Sequence, residues 1–73
     1  MKLTKQEQAL LIGRLINNVI GIGLAKERID EQKLEQAVMM YNEINDNTTP
    51  KQEREALISI LDKAIDEFLD SKE

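Results

Sequence analysis

The run from residue 9 to 25, ALLIGRLINNVIGIGLA, has Arg14, Asn17 and Asn18 as its only polar side chains. It limits what the chain can fold into more than any other feature. A surface helix of a globular protein needs an apolar arc of roughly 100°. Advancing about 100° per residue spreads Leu10, Leu11, Ile12, Leu15, Ile16, Val19, Ile20, Ile22 and Leu24 around well over half the circumference. The polar remainder is a strip of Arg14 and Asn18 with Gly21 beside it. A helix of this kind must be covered from more than one direction.

The chain has 73 residues, enough for one domain spanning 1–73. At this size a single core rarely supplies more than about 3 to 5 kcal/mol, and disulfides, a structural metal or oligomerisation make up the difference. With no Cys and no His, disulfides, thiolate zinc sites and the commonest transition-metal ligand are all absent. Oligomerisation remains, so the expected architecture is an all-α three-helix bundle assembled as a homodimer.

The formal charge of -4 repels phosphate backbones and argues against direct nucleic-acid binding. It favours encounter with a basic partner. The lack of Cys fits a reducing cytoplasm, which is the expected location. The apolar run is shorter than the roughly 20 residues a spanning helix needs and is interrupted by Arg14, Asn17 and Asn18. The start, MKLTKQEQ, mixes Lys2 and Lys5 with Glu7 and does not read as a signal peptide. No membrane association is expected.

Three helix starts are legible. Thr4-Lys5-Gln6-Glu7 has the capping-box form, which opens the first helix near Lys5. Gly21 and Gly23 each cost roughly 1 kcal/mol in a helix interior, but packing is expected to carry this helix through to about residue 27. Asp30 caps a second helix, 31–45, with Ile29 and Leu34 placed as a hydrophobic staple. Its core face is Leu34, Ala37, Val38, Tyr41 and Ile44 at helical spacing. Asn45 to Thr49 is a loop of residues that bond their own backbone in turns. Thr49-Pro50-Lys51-Gln52 then opens a third helix, 50–70, by a second capping box with Pro at the first helical position. Its apolar stripe is Leu57, Ile58, Leu61, Ala64, Ile65, Phe68 and Leu69, and the tail Ser71-Lys72-Glu73 is expected to fray.

The first helix also carries a row of small residues, Ala9, Gly13, Asn17, Gly21 and Ala25. Small side chains let two backbones approach, and Ile12, Ile16, Ile20 and Leu24 would pack alongside. A self-pairing seam about a two-fold axis follows, with Asn17 bonding across it to set register. The competing use of the groove is packing by another helix of the same chain.

On the third helix Glu55, Asp62, Asp66 and Asp70 share one side around Ser59, with Lys63 and Glu67 on the adjacent row. Like charges four apart repel by about 0.2 to 0.5 kcal/mol per pair. The bland reading is a solvated face; the functional one is a surface for a basic partner, imitating phosphate spacing. Glu27, Glu31 and Glu35 would extend it if the first two helices were nearly continuous. Met39 and Met40 flank the core face of the second helix next to Tyr41, where adaptable side chains suit a binding surface or fill gaps in a dimer core.

Chemistry is poorly represented. Gly21-Ile22-Gly23 follows a helix where a phosphate loop needs a preceding strand and further glycines. The hydroxyl residues have no His to activate them, and the carboxylates fall on polar faces where burial cannot tune them. No enzyme, cofactor or metal is expected. The leading reading is a small acidic homo-oligomeric interaction module that regulates or inhibits a basic or nucleic-acid-handling protein. Two alternatives remain: a helix-turn-helix DNA-binding regulator built from the second and third helices, and a structural subunit of a larger assembly.

Overall fold

The computed structural model describes residues 2–71, and among these there is helix and no strand. Lys72 and Glu73 of the expected fraying tail lie outside the described residues. Helix α1, Lys5–Arg14, begins at Thr4, whose hydroxyl accepts from the Glu7 N–H while the Glu7 carboxylate accepts from the Thr4 N–H. The chain continues without a break into a π-helical segment, Leu15–Ile20, which ends at Gly21. Helix α2 is Ile22–Arg28, α3 is Glu31–Asp46 and α4 is Pro50–Asp70.

The first helix is therefore not continuous to residue 27. Gly21 has φ 87° and ψ 143°, a conformation that side chains with a Cβ rarely adopt. Its N–H donates to the Ile16 carbonyl five residues back, the widened spacing of a π turn. The axes on either side of Gly21 meet at 105°. This bend outweighs helical continuity because it returns α2 to the chain. Ala25, 1% exposed, packs with Ile16, Leu34 and Val38 in the small apolar centre. Gly23, by contrast, lies inside α2.

The junction after α2 is not helical either. Ile29 is extended, and Asp30 caps α3 through the Lys33 N–H. Glu27 therefore does not form one row with Glu31 and Glu35. At the far end of α3, the Asn47 side-chain amide donates to the Glu43 carbonyl and the Thr48 hydroxyl to that of Ile44. Thr49 and Gln52 then form the second capping box, with Pro50 in the first turn of α4. The short polar connection turns the chain with its own side chains, as its composition suggests.

Helix α1 is central. α3 packs on one part of it and α4 on another, and α3 and α4 do not pack against each other. The outcome is a layer with extents of 35 × 33 × 18 Å. Its radius of gyration is 13.5 Å, against about 11 Å expected for a compact chain of this length. Among the described residues no single helix is long and apolar enough to cross a membrane.

Candidate functional site

The contacts of α1 decide which surfaces stay open. Ala9, Leu10, Gly13 and Ile16 are buried. The ring of Tyr41, from α3, lies directly over Gly13, where a Cβ would fall 1.9 Å from a ring carbon. The first half of the small-residue row is thus filled by a helix of the same chain. This corrects the expected two-fold seam: Ala9, Gly13 and Ile16 are taken up internally, and Gly21 forms the bend. Asn17, Ile12, Ile20 and Leu24 of that set are exposed.

Helix α4 is held to α1 by two ion pairs in reversed order along the two helices. Arg14 reaches Glu53 on the exposed side. The Lys63 ammonium donates to Glu7 Oε1 at 2.7 Å. Glu7 is only 5% exposed, and its carboxyl is held down at about 2. The Lys63 ammonium is the foremost cause, followed by the Ser59 hydroxyl and the Thr4 N–H. The capping box was legible from the spacing of Thr4 and Glu7. The recruitment of Lys63 was not, because nothing local distinguishes it from the other solvated charges of its helix.

Between these tethers the side of α4 facing α1 is Glu53, Ala56, Leu57, Ile60, Lys63 and Ala64, with Ile60 the buried member. This corrects the expected stripe. Leu57 and Ala64 belong to the packed side, whereas Ile58, Leu61, Ile65, Phe68 and Leu69 are exposed. Length contributes to the exposure. Lys63 already pairs with Glu7, next to the start of α1 at Lys5, while α4 runs on to Asp70. The last turns of α4 overhang α1, and Phe68 and Leu69 are 77% and 71% exposed.

The acidic row Glu55, Asp62, Asp66 and Asp70 is exposed along α4, beside this open apolar stripe on the helical wheel. On the other flank of the molecule, Met39 is 72% exposed and Met40 also faces outward. A shallow apolar groove of about 250 Å³ runs between the first helical segment and α3, lined by Ile12, Leu15, Ile16, Ile20, Ile29, Lys33, Leu34 and Ala37. Among the described residues no three His, Cys, Asp or Glu side chains group so as to hold a metal ion.

The helix-turn-helix alternative needs its two helices packed on each other so that one is presented to a groove. α3 and α4 make no such contact. Their faces are exposed independently, on either side of α1.

No protein-family model, curated protein or solved structure matches this chain.

Proposed function

We propose that this chain works by binding and not by catalysis: it is a small acidic interaction module that assembles with itself as a homodimer. The assembled form meets a basic partner through the exposed row Glu55, Asp62, Asp66 and Asp70, and in doing so regulates a basic or nucleic-acid-handling protein. Assembly as a subunit of a larger complex is the alternative that shares these surfaces.

The observation that carries the self-assembly is surface area. The chain exposes 5997 Å², whereas a folded monomer of 8.4 kDa typically exposes about 4,600 Å². The excess of roughly 1,400 Å² per chain is the amount removed from each subunit when a permanent dimer buries about 2,800 Å² in total, within the obligate range of roughly 2,000 to 5,000 Å². Much of the exposed area is apolar: Val19, Ile58, Leu61, Phe68, Leu69 and Met39 all stand more than half open.

A ligand that binds only the folded form raises its unfolding midpoint, and a second copy is such a ligand. The thermal midpoint is therefore expected to rise with protein concentration between micromolar and hundreds of micromolar. A midpoint independent of concentration contradicts self-assembly. For the partner, exchanging Asp62, Asp66 and Asp70 for Lys is expected to remove basic proteins recovered with the assembled chain. Recovery of the same set contradicts that assignment.

A further inference from the structure

We infer that α4 comes off α1 as a unit, turning about the junction of Thr48 and Thr49 while α1, the π-helical segment, α2 and α3 stay folded. The moving part of the molecule is then the helix that carries Glu55, Asp62, Asp66 and Asp70. Every contact involved lies within one chain, so self-assembly is not required.

The apolar centre is built without α4. Ile16, Ala25 and Leu34, with Val38 beside them, come from the π-helical segment, α2 and α3. Among the described residues α4 packs on α1 and on neither α2 nor α3. It is the longest helix, yet Ile60 is its one buried residue, and residues 65–70 are all exposed. A helix in a protein draws most of its stability from packing and not from propensity. Elements with few buried apolar contacts open at a lower free energy than the rest of the structure.

Beyond the packing around Ile60, two ion pairs fasten α4. Arg14 with Glu53 is exposed, and such pairs contribute little. Lys63 with Glu7 is the enclosed one. Glu7 Oε1 accepts from the Lys63 ammonium at 2.7 Å and from the Thr4 N–H at 2.8 Å. The second bond belongs to the cap of α1 and survives the departure of α4. The connection from α3 to α4 is divided in the same way. Asn47 and Thr48 donate back to Glu43 and Ile44 and close α3, whereas Thr49 and Gln52 cap α4 from within. The bonds of this connection stay on their own side of the Thr48–Thr49 peptide. Turning there leaves both helix ends satisfied. It uncovers Glu7 and Ile60, which are 5% and 7% exposed when α4 is docked.

Amide hydrogen exchange of the full chain, followed residue by residue by NMR and corrected for intrinsic rates, tests this. Amides of residues 60–64 in α4 are expected to exchange at least about 10-fold faster than those of residues 38–41 in α3. Lys63→Met keeps an apolar stem and removes the bond to Glu7. A hydrogen bond to a charged group is enough for about 10-fold in such an equilibrium. This variant is therefore expected to speed α4 by about that factor and to leave α3 unchanged. Val38→Ala, beside the apolar centre, is expected to speed α3 and leave α4 unchanged. Equal protection of the two helices in the natural chain, or equal acceleration of both by either variant, is the mark of one cooperative unfolding and overturns the proposal.

Discussion

Tyr41 covers Gly13 so closely that α1 and α3 meet without room for a single methyl group, the nearest ring carbon falling 1.9 Å from where a Cβ would stand. The relationship explains why a helix that would gain roughly 1 kcal/mol from Ala carries Gly at that position. Gly13→Ala must push the ring outward, and overpacking of this kind typically costs about 1 to 3 kcal/mol. Denaturant titration should show that loss. In a Tyr41→Ala background the same substitution should become neutral or favourable, because the obstruction is gone. Equal effects in both backgrounds would mean that the two residues are not coupled.

Gly21 and Gly23 stand two apart in sequence and should respond in opposite directions. At Gly21 a Cβ meets nothing within 4 Å, but φ is 87°. The cost of Gly21→Ala is therefore conformational, about 1 to 3 kcal/mol. Gly23 lies within α2 in open space, and Gly23→Ala should stabilise by about 0.4 to 1 kcal/mol. In a domain of this size each kcal/mol moves the thermal midpoint by about 4 to 8 °C. A Gly21→Ala variant as stable as the natural chain, or more so, would contradict the bend at Gly21.

Glu7 makes stability depend on acid pH. Its carboxyl titrates near 2 in the folded chain against an ordinary 4.5, so the unfolded chain takes up a proton first as pH falls. The contribution of this group is fully present above about 4.5 and is lost progressively toward 2. Glu7→Gln keeps a capping-box residue at N3 but removes the charge facing Lys63. It should lower stability at neutral pH and flatten the decline between pH 4.5 and 2. An unchanged acid limb in this variant would show that Glu7 is not the responsible carboxyl.

The elements themselves were legible because their signals are local. Thr4 with Glu7, Asp30 with Glu31, and Thr49-Pro50 with Gln52 mark starts that the structure places at Lys5, Glu31 and Pro50. The face of α3 from Leu34 to Ile44 likewise follows from its spacing. What sequence could not decide was which apolar surface meets which. The bend at Gly21 depends on Ala25 packing against Ile16 and Leu34, a tertiary gain that helix propensity does not contain. On α4 the apolar arc is broader than one neighbour can cover. Spacing alone identified the arc but not that Ile60 turns inward while Leu61 and Ile65 are left out. Within the small-residue row the close approach is at Gly13, under Tyr41 of the same chain, whereas Gly21 has nothing within 4 Å and Asn17 is exposed.

Exposed surface in excess of that of a folded monomer is the reason a second copy is invoked, and mass in solution tests that claim most directly. Light scattering on the natural chain, diluted from hundreds of micromolar to a few micromolar, should give twice the 8.4 kDa of one chain at every concentration. A mass of 8.4 kDa across the range would contradict self-assembly.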